Sequence, residues 1–200
     1  MPVIDKVTLD LIEREIAHIK DGKTVQIKVI KSKKYGLLSN RMEELVSKIA
    51  NISAGKIKIY SEDGAEHPHV QIAQNIFCYA IPSGYLSGVF IHFVVDMVKG
   101  EFLAGNDIIA DVKRIKKDVV MEVYTSSSCS ISPPAIRWAL EFGYANRRIR
   151  VNITDCVLFP EACLRKGITS TPTIIVNNKV KIVGAPTPDE LLRKINLAIS

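Results

Sequence analysis

The sequence predicts an α/β protein built from two tandem copies of one fold, each a mixed four-stranded sheet flanked by helices. Three observations predict it. Strand-like and helix-like segments follow one another in the same order twice along the 200 residues. In each half a proline, Pro68 or Pro172, stands just ahead of a hairpin. Fourteen residues later each half has a second proline, Pro82 in Ala-Ile-Pro-Ser and Pro186 in Gly-Ala-Pro-Thr. Shared spacing of this kind argues for duplication.

In the first half, Leu9, Ile12, Ile16 and Ile19 recur at helical spacing behind a Thr8 cap, and Asp21-Gly22 ends that helix. Val25, Ile27 and Val29 alternate with polar residues, the period of a half-buried strand. A helix over about 40–50 turns Met42, Leu45, Val46 and Ile49 inward. Ile57 and Ile59 mark a second strand, short strands follow near 69–72 and 75–80, and an apolar helix over 85–98 closes the unit.

The second half repeats the order. A strand over 119–124 precedes a helix whose Ala135, Ile136, Ala139 and Leu140 share one face, ended by Gly143. Ile149, Val151 and Ile153 alternate as a strand, and a short helix lies around 160–166. Strands at 173–176 and 180–183 form a hairpin around Asn177-Asn178, residues that tolerate the left-handed turn conformation. The last helix has Thr187 as cap, Pro188 at its first position and Glu190 completing a capping box. Leu191, Leu192, Ile195 and Ala198 face inward. The expected units are 1–105 and 117–200, with 106–116 as a connecting helix or linker.

Composition narrows the function classes. Hydrophobic content of 47% with 24% charged residues fits a globular protein. The net charge of +6 includes the cluster Arg147, Arg148 and Arg150, read as a solvated strand edge because no interleaved aromatics accompany it. No nucleic acid is therefore expected as partner. Asp5 and Asp10 interrupt any leader-like stretch, and Asp96 interrupts the most apolar run, so neither membrane insertion nor export is expected and the location is read as cytoplasmic. The four cysteines, Cys78, Cys129, Cys156 and Cys163, are too few for a disulfide framework and match no zinc spacing. His67 and His69 flank Pro68 without a third ligand nearby, so local polar contacts are expected and metal is not.

The chemistry centres on Tyr124-Thr-Ser-Ser-Ser-Cys129-Ser-Ile-Ser132-Pro-Pro. A strand ends, a short loop follows, and a cysteine lies where a helix begins. First-turn N–H groups and the helix dipole both favour the thiolate there, and a lowered pKa makes a cysteine reactive at neutral pH. Pro133 suits an early helical position, and Ser132 can offer its hydroxyl to the sulfur. Cys78, in a strand, and Cys163, on the short helix, read as core residues, and Trp138 is expected to pack within its helix.

The Cys129-to-Ser132 element, the helix after it and the later Gly167-Ile-Thr-Ser-Thr-Pro172-Thr resemble the thioredoxin and glutaredoxin superfamily. The ending Val183-Gly-Ala-Pro-Thr-Pro-Asp-Glu-Leu191 is similar to archaeal glutaredoxin-like proteins. The tandem arrangement resembles archaeal protein disulfide oxidoreductases and the N-terminal redox module of the alkyl hydroperoxide reductase flavoprotein subunit. The resemblance implies a cis Pro172 lying against the active cysteine, with Thr171 and Pro172 contacting substrate. Three departures stand out: Ser132 replaces the second active cysteine, Val123 replaces a buried aspartate, and the loop around 31–36 has no cysteine.

The expected activity is thiol–disulfide exchange through the single nucleophile Cys129 on a disulfide-containing protein or mixed-disulfide substrate. No cofactor is expected, and a low-molecular-weight thiol such as glutathione would clear the mixed disulfide. Cys156 is the candidate resolving thiol within the chain, since it follows the strand expected beside that of Cys129. Two alternatives stay open. One is a non-enzymatic module that docks a peptide beside Pro172. The other is a monothiol glutaredoxin-like iron–sulfur carrier, against which stand Ser130 and Ile131 in place of that motif's glycine and phenylalanine.

Overall fold

The computed structural model describes residues 23–53 and 55–200, together with Asp10, Glu13 and Arg14 near the N terminus. The helix expected from Leu9 to Ile19 lies mostly outside the described residues. Among the described residues, eight strands form one mixed sheet in the order β2-β1-β3-β4-β6-β5-β7-β8. They are β1 Val25–Lys31, β2 Ile57–Asp63, β3 His69–Ala73, β4 Ile76–Tyr79, β5 Val119–Thr125, β6 Ile149–Asp155, β7 Thr173–Val176 and β8 Val180–Val183. The helices are α1 Gly36–Asn51, α2 Tyr85–Lys99, α3 Asn106–Arg114, α4 Ser132–Ala145, α5 Pro160–Arg165 and α6 Pro188–Ile199.

Each half contributes four strands in the same order, but the two sets are not separate sheets. β4 pairs with β6 in parallel, Ile76 opposite Val151 and Tyr79 opposite Thr154. The Asn75 side chain reinforces this seam, donating to the Gly143 and Ile149 carbonyls at 2.8 and 2.6 Å. Above it α2 packs on α4. That contact explains why α2 is apolar almost all round, burying Leu86, Phe90, Ile91, Phe93, Val94, Val95, Met97 and Val98. Gly143 sits where a Cβ would come within 2.6 Å of Val151 Cγ2, so the absence of a side chain lets α4 lie close to the seam.

A buried polar cluster crosses the same boundary. Arg137, 7% exposed in its side chain, pairs with Glu141 on its own helix and with Asp96 on α2. Glu141 also accepts the N–H groups of Leu103 and Ala104 at 3.0 and 2.8 Å. The expected capping box is present, with Glu190 N–H donating to Thr187 Oγ1 and Thr187 N–H donating to Glu190. Asn177 and Asn178 adopt φ of 50° and 53° between β7 and β8. Trp138 packs partly buried against the core.

Two helices differ in their bounds from expectation. α1 begins at Gly36 rather than near Asn40, because the 3₁₀ turn Lys33–Tyr35 leads straight into it. Ser39 is then an internal residue, its buried hydroxyl accepting from Ser32 N–H at 3.0 Å. α4 begins at Ser132, so Cys129 lies three residues ahead of the helix start instead of at it, and the helix runs on through Gly143, its expected end, to Ala145.

Candidate active site

The loop from Ser126 to Ile131 joins β5 to α4 at the C-terminal edge of the sheet. Three neighbours hold it. Ser127 N–H donates to the Asp155 carboxylate at 3.2 Å, and Ser127 carbonyl accepts from Tyr85 N–H at 3.0 Å. Gly84, at φ +55°, lies so close that a Cβ there would come within 2.4 Å of the Ser127 oxygen. Within the loop, Cys129 N–H donates to Ser126 carbonyl at 3.0 Å, and the Ser126 and Ser128 hydroxyls are 2.8 Å apart.

Cys129 is a partly exposed free thiol. Its sulfhydryl donates to the Thr171 carbonyl at 3.3 Å, which brings together the loop and the Thr171–Pro172 peptide. That peptide is cis, and the Pro172 carbonyl accepts from Gly184 N–H at 2.8 Å. Partial burial pushes the Cys129 thiol up, but stronger opposing contributions hold it below its ordinary range. These come from the Ser132 and Thr171 hydroxyls and from the backbone N–H groups of Ile131 and Ser132. Ser132 Oγ is fully buried and has no hydrogen-bond partner while the sulfur is protonated. Deprotonation supplies the missing acceptor, so the hydroxyl is poised for the thiolate rather than the thiol.

Two of the other three cysteines depart from expectation. Cys156 is not a free thiol: it is bonded to Cys163, with α-carbons 5.7 Å apart. Cys163 is therefore a disulfide partner as well as a buried residue. The turn after β6 brings α5 back over that strand's end, a proximity that a separation of seven residues did not reveal. Cys78 on β4 is a buried free thiol, and burial raises its pKa to about 12, so it remains protonated and inert.

Asp155, which no motif in the sequence marks, also belongs to the site. It is 1% exposed and accepts from Ser127 and Val157 N–H, the latter at 2.8 Å. Its strand alternates apolar and polar residues, so nothing beside it in the sequence singles it out. Among the described residues no metal-ligating group gathers at His67 and His69; His69 Nδ1 lies 3.1 Å from the His67 carbonyl. His67 instead joins Tyr35, Tyr79 and Phe159 around a cleft of about 290 Å³ at this edge, which Cys129 does not line. Arg148 pairs with Asp118 at 3.0 Å and Arg150 stacks over Phe77.

Comparison with known proteins extends the geometry. A family model described as a thioredoxin domain matches residues 119–196. A probable thioredoxin of Methanothermobacter thermautotrophicus is 35% identical over 82 residues, covering 39% of this chain and 93% of that protein. The thioredoxin of Methanocaldococcus jannaschii is 32% identical over 80 residues, covering 38% of this chain and 92% of its own. Two solved structures align with 96% of the chain. A protein disulfide oxidoreductase from Aeropyrum pernix does so at a TM-score of 0.86 and 17% identity, over 91% of its length. The NTD_N/C domain of alkylhydroperoxide reductase AhpF from Enterococcus faecalis does so at a TM-score of 0.82 and 16% identity, over 99% of its length. Both likenesses show the fold. Through the thioredoxin domain at residues 119–196, the chain belongs to the thioredoxin family.

Proposed function

We propose that the protein is a thiol–disulfide oxidoreductase that works through Cys129 as its one entry nucleophile. The carrying observation is the partly exposed Cys129 sulfur set between the Thr171 carbonyl and the orphaned Ser132 hydroxyl. The thiolate attacks a substrate disulfide along the S–S axis, one substrate sulfur joins Cys129, and the other leaves as a thiol after taking a proton. Serine at position 132 cannot complete the exchange as a second cysteine would, so the mixed disulfide awaits another thiol. An external thiol such as glutathione suffices for that step. Exposed Ile131, Val157 and Tyr85 belong to the three segments that meet at the loop, which favours a polypeptide substrate with apolar side chains near its disulfide.

The same reading takes the chain as two tandem thioredoxin-like units, 1–105 and 117–200, with the segment 106–116, including α3, between them. The repeated strand order and the two neighbours that span 96% of the chain support it. Thr171 and Pro172 would line the groove in which substrate backbone lies beside Cys129. The test is turnover of a glutathionylated peptide with glutathione as reductant: the natural chain reduces it, Cys129→Ser does not, and equal rates for the two would sink the reading.

One observation favours a second reading, a non-enzymatic binding module. The cleft between Tyr35, His67, Tyr79 and Phe159 draws its walls from both halves and holds no cysteine. Under that reading Cys129→Ala leaves partner binding intact, measured by calorimetry with a captured peptide. Under the first reading the same substitution removes the covalent partner.

A further inference from the structure

Attack by Cys129 leaves a mixed disulfide, and the chain holds a second pair of sulfurs after the neighbouring strand. β5 and β6 run parallel with Thr125 opposite Asp155, so their C-terminal ends lie side by side. The residues just beyond are joined directly. Cys156 N–H donates to Thr125 carbonyl at 2.8 Å, and Ser127 N–H donates to the Asp155 carboxylate at 3.2 Å. Cys129 in turn is bonded back to Ser126. Cys156 is partly exposed, whereas its partner Cys163 is 4% exposed behind it, packed with Tyr124 and Ile175. An accessible sulfur backed by a buried one is the order a dithiol needs, since the first must meet the incoming disulfide and the second must release it.

We propose that Cys156 and Cys163, when reduced, are the dithiol that resolves the Cys129 mixed disulfide, so that the Cys156–Cys163 bond is the oxidised end state of an internal relay. The proposal rests on the reading of Cys129 as nucleophile. Cys129 thiolate first attacks R–S–S–R′, forming Cys129–S–S–R and releasing R′SH. Cys156 thiolate then attacks Cys129 Sγ, the bond to substrate breaks, RSH leaves with a proton, and Cys129–Cys156 forms. Cys163 thiolate attacks Cys156 Sγ, forming Cys156–Cys163 and returning Cys129 as a thiolate. The substrate gains two electrons and two protons, and the Cys156/Cys163 pair loses them. A small or protein dithiol then reduces Cys156–Cys163 for the next cycle. The middle step requires the Cys129 and Cys156 α-carbons to come within about 4.4–6.8 Å, and the Ser126–Ile131 loop is the segment that would bring them there. Ser132, unable to compete for the mixed disulfide, leaves this route open.

The test uses the full chain, reduced under argon and mixed with a single equivalent of Ellman's reagent, 5,5′-dithiobis(2-nitrobenzoate). The natural chain should release both thionitrobenzoate halves, the second in a phase whose rate is independent of protein concentration, and peptide mapping should find Cys156 joined to Cys163. In Cys156→Ser/Cys163→Ser the second release should slow by about tenfold or more, because an intramolecular thiol has an effective concentration far above that of dilute protein. Cys163→Ser alone should accumulate the Cys129–Cys156 bond, a readout that survives if the double variant folds poorly. Thionitrobenzoate persisting on Cys129 as long in the natural chain as in the double variant would overturn the relay and leave the pair a structural staple. So would oxidation of the pair at an unchanged rate in Cys129→Ser. A first release at Cys129 no faster than that of free cysteine, in every variant, would instead overturn the oxidoreductase reading and the relay with it.

Discussion

The loop after β1 and the loop after β5 occupy corresponding places, and a side chain from each reaches a carbonyl just ahead of the third strand of its half. In the first, Ser32 Oγ donates to Glu66 carbonyl at 2.8 Å, two residues before Pro68. In the second, Cys129 Sγ donates to Thr171 carbonyl at 3.3 Å, one residue before Pro172. The differences are of element, exposure and peptide geometry. Ser32 is 3% exposed and its backbone N–H is taken by Ser39, whereas Cys129 is partly exposed. Among the described residues only the Thr171–Pro172 peptide is cis. One framework thus holds a closed link in one place and a partly exposed thiol in the other.

The largest expected effect separates the two loops by chemistry. Cys129→Ser should reduce disulfide exchange to background, since a hydroxyl does not ionise at neutral pH. Ser32→Cys in that background should restore nothing, because the new thiol is buried beside Glu66. Recovery of activity in the double variant, measured with a fluorogenic disulfide, would show that the scaffold rather than the exposure of Cys129 sets reactivity.

Next in size is the link between the regions. Glu141→Ala should cost about 3–5 kcal/mol, because it removes one of the two carboxylates that pair with the buried Arg137 and leaves two backbone N–H groups without acceptors. Urea unfolding should stay a single transition in the natural chain, since β4–β6 and α2–α4 make one body of the two regions. Two well-resolved transitions would contradict that coupling. Gly84→Ala is smaller in energy, about 1–3 kcal/mol, but it acts on the site. The added methyl meets the Ser127 carbonyl, so the Cys129 loop must shift and the alkylation rate of Cys129 should change with it. An unaltered rate would mean that the first region does not position the nucleophile.

Much of this architecture was legible in the residues. Alternation in Val25-Ile27-Val29 and Ile149-Val151-Ile153 reports one buried face and so marks strands wherever they pair. The Thr187–Glu190 box and the Asn177-Asn178 turn are local, and local chemistry is written in adjacent residues. Cys129 stood out because polar serines surround it at a strand end. The β4–β6 seam did not stand out, because alternation tells which face is buried and not which strand lies alongside. The Cys156–Cys163 bond escaped for a related reason: it depends on how α5 returns over β6, which a spacing of seven does not encode. Gly84 and Asp155 owe their places to contacts with Ser127, 43 and 28 residues away in the chain, so their neighbours in sequence carry no trace of the role.

The smallest substitution effect sharpens the account of the thiolate. Ser132→Ala removes one of the groups that oppose the effect of burial on Cys129, so the pH midpoint of its alkylation should rise. The sign for stability runs the same way. A thiol whose folded pKa is depressed adds stability above its unfolded value, and that gain is lost as pH falls through the folded pKa. Ser132→Ala should therefore narrow the mildly alkaline window in which the natural chain gains stability, and chemical denaturation across pH 6–10 would show it.

The most direct measurement is the pH dependence of Cys129 alkylation by iodoacetamide in the full chain carrying Cys156→Ser and Cys163→Ser, with buried Cys78 left in place. A midpoint clearly below the ~8.5 of a free thiol is the predicted result and marks an activated nucleophile held by Ser132, Thr171 and the loop N–H groups. A midpoint at or above that value would contradict it, leaving Cys129 an ordinary thiol and the cleft between Tyr35 and Phe159 as the feature to pursue.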